Sequence, residues 1–204
     1  MQEFKRKKTS ILERNSLFIL LLGIMLGGVL IGSLAFCNMN ENAVGTISFI
    51  SQGFMKTRAS QSMLGIFMKS FLSASAPMLL IFVLGFCAVT QPIEFLVPFF
   101  RGLGLGASLA QIYSSSGIKG FLIILFLILP YAIISSFGVI IGTREAIRLS
   151  NIFAGKAVSS ANSEGMKSIT KLYCIKFLVL EVVMIIGAIV DCAFSFIFAG
   201  VLLK

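Results

Sequence analysis

Long apolar stretches follow one another along almost the whole chain and limit what it can fold into. The clearest is the run of 21 residues from Ser16 to Phe36, which contains no charged residue. A helix of about 20 apolar residues is long enough to cross the hydrocarbon core of a bilayer. Hydrophobic residues make up 57% of the 204 residues and charged residues only 12%, which is more apolar surface than a water-soluble domain needs. We therefore predict an all-α, polytopic integral membrane protein.

The apolar runs and the turn residues between them indicate about five spans within a single membrane domain, residues 1–204. The spans are expected at about 16–36, 71–90, 93–113, 118–141 and 176–203. An external loop, 37–70, has the pattern of one or two short amphipathic helices at the membrane surface, with ordinary loop packing as the alternative. A basic loop, 143–175, is expected to hold a helix over Thr143–Ala154 and the start of a second helix capped by Ser163.

The distribution of Lys and Arg decides between four and five spans and orients the chain. With five spans, the N-terminal segment 1–15 places five basic residues on one side, and the stretch 143–176 adds six to the same side. The opposite side holds five, and Arg101 is counted as lying inside the membrane. Basic residues concentrate on the cytoplasmic side of membrane proteins, and four spans would place the six-charge loop outside. We therefore predict a cytoplasmic N-terminus and an external C-terminus.

The stretch Gln91–Tyr113 combines an apolar composition with charges that are costly in a bilayer, Glu94 and Arg101. A charge at the centre of a membrane helix costs about 2.5–3.5 kcal/mol on insertion scales and is usually paired or functional. The last span adds two more such residues, Glu181 and Asp191. These four charges are the candidate site residues of the chain.

The helix rise predicts which of these charges meet. At about 1.5 Å per residue from the cytoplasmic side, Glu181 lies about 7 Å deep, Arg101 about 12 Å and Asp191 about 22 Å. Glu94 and Glu181 are then the expected partners of Arg101, whose side chain can extend toward the interface. Asp191 is expected to be protonated or hydrogen-bonded to small residues. The charges are thus either buried links that fix how spans 3 and 5 meet or the lining of an ion or proton path.

Glycines and prolines indicate where helices pack closely and where they break. Small residues four positions apart let two membrane helices approach each other. The glycines expected at helix contacts are Gly23, Gly27, Gly28, Gly32, Gly102, Gly104 and Gly106. The prolines expected to kink or break helices are Pro77, Pro92, Pro98 and Pro130. Whether the packing partner is internal or another copy of the chain stays open, so a homo-oligomer is one alternative.

Several function classes are disfavoured by the composition. The chain has no histidine, which removes Ser-His-Asp catalysis and His-ligated metal sites. Its four cysteines form no C-x-x-C pair and are expected to be thiols packed among apolar side chains. The net charge of +9 comes mainly from residues beside apolar runs, which is typical of topology signals rather than of nucleic-acid binding. We expect no enzymatic activity, no cofactor and no metal.

A set of short motifs lies between about residues 60 and 150. They are Leu84-Gly85, Pro92, Phe100-Arg101-Gly102 with Gly104 and Gly106, Gly120-Phe121 and Leu129-Pro130. With these motifs the chain resembles the stage II sporulation protein M family of endospore-forming bacteria. Members of that family have a similar length, a basic N-terminus, a first span, a loop and four further spans.

The resemblance implies a membrane scaffold rather than an enzyme. In the family, protein M belongs to a complex with the cell-wall hydrolases called stage II sporulation proteins D and P, which remodels septal peptidoglycan while the mother cell engulfs the forespore. These hydrolases and membrane lipid are then the implied partners, and the septal or engulfing membrane is the implied location. Two alternatives are a small transporter or channel subunit that uses the intramembrane charges, and a family member that acts in envelope processes outside sporulation.

Overall fold

The computed structural model describes residues 2–38, 63–87, 90–158 and 164–202. This described part is helical almost throughout and contains no strand, which confirms the predicted all-α class. Its elements are α1 (Gln2–Cys37), α2 (Met63–Leu84), α3 (Gln91–Ile123), a π-helical segment (Ile124–Ile128), α4 (Leu129–Val158) and α5 (Glu164–Leu202).

Four helical stretches of the described residues are long and apolar enough to cross a membrane. They are Ser16–Cys37, Met63–Leu84, Gln91–Gly155 and Lys167–Phe198. The count differs from the predicted five because the expected spans 93–113 and 118–141 form one helical stretch of 65 residues. Large apolar side chains remain exposed on α1, α2 and α5, as expected of helices whose outer faces contact lipid.

The 65-residue stretch folds back on itself at Gly117, between the predicted spans 93–113 and 118–141. This glycine has φ 53° and ψ −127°, which is not a helical conformation and so interrupts the helix. Residues with a side chain rarely adopt such a conformation, which explains why a glycine stands here. The chain beyond it runs antiparallel to the helix before it. Near the turn, Ile112 packs with Ile123, and far from it the Gln91 amide donates a hydrogen bond of 2.8 Å to Oδ1 of Asn151.

The two arms of this hairpin have different surroundings. The first arm, residues 91–116, packs mainly against α1, and the second arm, residues 118–158, occupies the centre of the molecule. On the second arm, Ile140 belongs to a core cluster with Leu21 of α1, whereas its neighbour Val139 belongs to a cluster with α2 and α5. The central helix is therefore covered on both sides by protein.

The ends of the helices correct several predicted boundaries. Helix α2 begins at Met63 and ends at Leu84, so the predicted span 71–90 starts too late and ends too late. The last residues of the predicted external loop, 37–70, therefore belong to α2. The part of the predicted amphipathic pattern between residues 39 and 62 lies outside the described residues, and the part from Met63 onward is the start of α2.

The predicted cytoplasmic loop, 143–175, is mostly helical. The helix expected over Thr143–Ala154 is the end of α4, and α5 begins before the predicted start at 176. Both helices extend because buried side chains such as Leu149 and Tyr173 continue the core beyond the apolar spans. The cap predicted at Ser163 lies outside the described residues.

The four prolines have different effects on the helices. Pro92 lies in the first turn of α3, where its missing N–H removes no helical hydrogen bond. Pro130 lies two residues after the end of the π-helical segment, where a proline removes an i→i−4 hydrogen bond and favours a locally widened turn. Pro77 and Pro98 lie inside α2 and α3, which continue through them. Neither proline therefore ends its helix, and the predicted kinks at these two positions stay predictions.

Candidate functional site

One face of α3 is in backbone contact with α1. A Cβ atom built on Gly106 would lie 2.0 Å from the carbonyl oxygen of Val29, and one built on Gly102 would lie 2.2 Å from that of Met25. Any side chain larger than that of glycine would force the two helices apart, because real Cβ contacts are not this short. These two glycines therefore set the distance between α1 and α3.

The contact is reciprocal, because glycines of α1 meet the backbone of α3 in the same way. A Cβ on Gly28 would lie 2.4 Å from the Phe99 carbonyl oxygen, and one on Gly32 would lie 2.2 Å from that of Leu103. The remaining glycines predicted at helix contacts have open space instead. A Cβ atom would meet nothing within 4 Å at Gly23, Gly27 and Gly104.

The opposite face of α3 carries Arg101, whose contacts differ from the predicted ones. Its Nη1 donates a hydrogen bond of 3.0 Å to the Ser73 carbonyl oxygen of α2, and its Nη2 donates one of 2.6 Å to Oγ of Ser135 on α4. Among the described residues no ion pair joins Arg101 to Glu94 or Glu181. Arg101 thus links α3 to α2 and α4 rather than to α5, which corrects the predicted pairing with Glu94 and Glu181.

Asp191 of α5 is buried and accepts a hydrogen bond from Oγ of Ser70 on α2. This contact is of the kind expected from the sequence, a hydrogen bond to a small residue. Tyr131 of α4 is also buried, and its hydroxyl donates to the carbonyl oxygen of the same Ser70. One serine of α2 is therefore bonded to two other helices.

These contacts form one group, which we term the polar cluster, and each of its bonds joins two different helices. Its members are Ser70, Ser73, Arg101, Tyr131, Ser135 and Asp191. The two serines of α2 are three residues apart, and the tyrosine and serine of α4 are four apart. Residues at these spacings lie on the same face of a helix. The cluster therefore connects α2, α3, α4 and α5 at one level of the bundle.

Glu94 and Glu181 have buried carboxyl oxygens with few partners in the described part of the chain. Glu94 has no exposed surface, and it accepts one long hydrogen bond of 3.4 Å from Oγ1 of Thr90. Its Oε2 atom has no hydrogen-bond partner within the described part of the chain. For Glu181 neither carboxyl oxygen has such a partner among the described residues. The structure thus separates both glutamates from the arginine with which they were expected to pair.

A second charged group lies where α4 and α5 extend beyond their apolar spans. Glu145 is buried, and its Oε2 lies 2.5 Å from Nζ of Lys176, while its Oε1 lies 3.0 Å from Nη2 of Arg144 and 3.5 Å from Nη1 of Arg148. One carboxylate thus binds three cations and links the ends of two helices. The sequence places Arg144, Glu145 and Arg148 on a polar helix face, but the tie to Lys176 appears only in the structure.

Sequence reasoning missed most partners of the polar cluster. Ser70, Ser73 and Ser135 are small polar residues of a type common in membrane helices, and nothing in their local sequence marks them. Tyr131 had a weak signal, because it follows Pro130 directly in an otherwise apolar run. Its hydroxyl group needs a partner when it is buried.

Comparison with known proteins adds no family to this picture. No family model matches the chain, and neither a curated protein nor a solved structure matches it. The resemblance to the stage II sporulation protein M family therefore stays a prediction from its motifs.

Proposed function

We propose that this chain is a non-enzymatic membrane scaffold with five membrane-spanning helices. The hairpin at Gly117 supports five spans because it turns the 65-residue stretch into two antiparallel arms. The first arm alone, residues 91–116, is about 39 Å long at 1.5 Å per residue, against about 30 Å for the hydrocarbon core. The excess of Lys and Arg on one side then favours a cytoplasmic N-terminus and an external C-terminus.

The observation that carries the scaffold proposal is the polar cluster. Arg101, Tyr131 and Asp191 each bond to a residue of another helix. Such bonds fix how membrane helices are arranged, and their loss leaves polar groups in an apolar medium. A fixed bundle is what a scaffold requires, since its role is to hold partners in place.

The partners follow from the resemblance to the stage II sporulation protein M family. They are cell-wall hydrolases of the kind called stage II sporulation proteins D and P, held at the septal or engulfing membrane. The external segment between α1 and α2 is the part of the chain that would meet them outside the membrane.

The test is to delete the gene in its host and to image the hydrolases and the septum during sporulation. A sharper variant replaces only residues 39–62 with a flexible linker of equal length, because α2 begins at Met63 and Ser70 belongs to the polar cluster. We expect both changes to disperse the hydrolases and to stall engulfment, with the linker variant still accumulating in the membrane. Normal hydrolase localisation in both strains rejects the proposal, and a defect confined to vegetative growth moves the role outside sporulation.

A second candidate function is a proton path, and the observation that favours it is the buried carboxyl oxygens of Glu94 and Glu181. Oε2 of Glu94 and both carboxyl oxygens of Glu181 have no hydrogen-bond partner among the described residues, and carboxyl groups inside a membrane serve as proton relays. Purified protein in liposomes, monitored with a pH-sensitive dye, tests this. Proton flux that disappears in the Glu94→Gln and Glu181→Gln variants would replace the scaffold by a transporter, and no flux above empty liposomes rejects the path.

A further inference from the structure

A groove runs between α2 and α3 on the face of α3 that points away from α1. Its volume is about 610 Å³, and Arg101 and Tyr131 of the polar cluster form part of its wall. The groove opens toward the outside of the bundle, because apolar residues that line it are themselves exposed. These are Leu80 of α2 and Ile93, Leu96 and Phe100 of α3.

Arg101 makes no ion pair within the described part of the chain. Both of its described hydrogen bonds go to uncharged groups, the Ser73 carbonyl and the Ser135 hydroxyl. Its third nitrogen, Nε, is buried and has no hydrogen-bond partner among the described residues. A positive charge inside an apolar medium is costly and is usually paired with a negative one. The groove therefore favours an occupant that brings a negative charge to Arg101.

The groove also has the length and the wall that a helix needs. From Ile93 to Ser108 it follows α3 for about 22 Å at 1.5 Å per residue. Gly104 and Ser108 lie one turn apart in its wall, and a Cβ built on Gly104 would meet nothing within 4 Å. Small residues at this spacing let the backbone of a second helix approach closely.

We infer that this groove receives a membrane-spanning helix of a partner protein that carries an Asp or Glu side chain at mid-span. The carboxylate pairs with Arg101, and the helix backbone packs over Gly104 and Ser108. A lipid headgroup fits less well, because Arg101 lies about 15 Å along α3 from Gln91 and a headgroup would have to enter the hydrocarbon by about that distance. The inference rests on the proposed function, since it states how a scaffold would hold a membrane-anchored partner.

The test uses synthetic single-span helices as probes. Each probe is a fluorescently labelled leucine-rich helix of about 20 residues with Asp, Asn or Leu at its centre. Energy transfer to the full-length protein, fused at its N-terminus to a fluorescent acceptor, measures association in phosphatidylcholine vesicles. We expect the Asp probe to associate about tenfold more tightly than the Leu probe, with the Asn probe close to the Leu probe.

Two variants place the interaction in the groove. Arg101→Gln keeps polar donors near Ser73 and Ser135 but removes the charge, so the preference for the Asp probe should disappear. Gly104→Leu fills the groove in open space, so association with the Asp probe should fall about tenfold while the protein stays folded. Gly23→Leu is the matched control, because Gly23 is equally open but does not line the groove. It should leave association unchanged.

Equal association of the Asp and Leu probes overturns the inference, and so does an undiminished Asp preference in Gly104→Leu. The Asp probe could instead fail to associate while the protein binds the anionic lipid phosphatidylglycerol in a way that depends on Arg101. The groove is then a lipid site and the inference is wrong. The outcome is separable from the scaffold proposal. Probe binding with normal hydrolase localisation after gene deletion rejects only the scaffold, and the reverse pattern rejects only the groove.

Discussion

The two faces of α3 show two different ways of holding membrane helices together. Toward α1, Gly102 and Gly106 bring backbone against backbone without any polar side chain. Toward α2 and α4, Arg101 makes hydrogen bonds to both helices and lies beside a groove. Close packing needs the absence of a side chain, whereas a polar link needs a long one. We therefore expect the interface with α1 to tolerate no added side-chain volume. The interface with α2 and α4 should instead lose a limited amount of stability for each hydrogen-bonding group that is removed.

The largest expected effect comes from filling the glycine contact. Gly106→Leu should lower the free energy of unfolding by about 3 kcal/mol, because its side chain meets the Val29 backbone. Gly104→Leu, two residues away on the groove face, should change it by less than about 0.5 kcal/mol. Denaturant unfolding of the purified proteins in detergent measures both. Similar losses in the two variants would remove the distinction between the faces.

The second effect concerns the polar face. Arg101→Ala should lower the free energy of unfolding by about 2 kcal/mol, because it removes two hydrogen bonds between helices and leaves the Ser135 hydroxyl with fewer partners. Membrane accumulation and denaturant unfolding report the loss. A variant as stable as the parent protein would show that Arg101 serves binding alone and contributes nothing to the bundle.

A smaller effect is expected for the part of the polar cluster that does not include Arg101, namely the hydrogen bonds among Ser70, Tyr131 and Asp191. Tyr131→Phe removes only the hydroxyl that donates to the Ser70 carbonyl, and it should cost about 0.6 kcal/mol, the average for a hydrogen bond between membrane helices. Combining it with Arg101→Ala in a double-mutant cycle measures whether the two parts of the cluster act together. Strict additivity would mean that the cluster is two independent links.

The smallest effect is expected at Glu181, which the sequence alone would pair with Arg101. Glu181→Leu should leave the free energy of unfolding unchanged or raise it by up to about 1 kcal/mol, because it replaces a buried carboxyl without a hydrogen-bond partner in the described part by an apolar group. Glu145→Gln is the contrasting variant and should lower stability, since that carboxylate binds three cations. A clear loss of stability in Glu181→Leu would support the predicted link between Arg101 and Glu181.

The polar cluster could be predicted from the sequence only in part. The sequence marks Arg101 and Asp191 as buried charges because they interrupt apolar runs, and a hydrogen bond from a small residue to Asp191 was foreseen. The partners of Arg101 were not, because depth along a helix says nothing about which helix stands beside it. Ser73 and Ser135 meet Arg101 only after α2 and the second arm of the hairpin have packed against α3.

The glycines of α1 are a second case in which the sequence does not show which residues contact another helix. Gly28 and Gly32 have the same spacing as Gly23 and Gly27 on one helix, and the two pairs cannot be ranked from their sequence. The structure places the first pair on α3 and leaves the second in open space. The rotation of α1 about its own axis makes this choice, and core residues such as Leu21 and Met25 set that rotation by packing against Ile140.

What the amino-acid order determines by itself is the all-helical class and the approximate position of the apolar segments, because apolar runs of this length form helices wherever water is absent. The position of the hairpin belongs to the same category, since Gly117 lies between the predicted spans 93–113 and 118–141 and a glycine can adopt the conformation of a tight turn. The tertiary structure decided which helix faces meet and how far helices extend beyond their apolar spans. It also decided which carboxyl oxygens lack a hydrogen-bond partner in the described part of the chain. These depend on packing between segments far apart in the chain, where a difference of one residue rotates a side chain by about 100° to another neighbour.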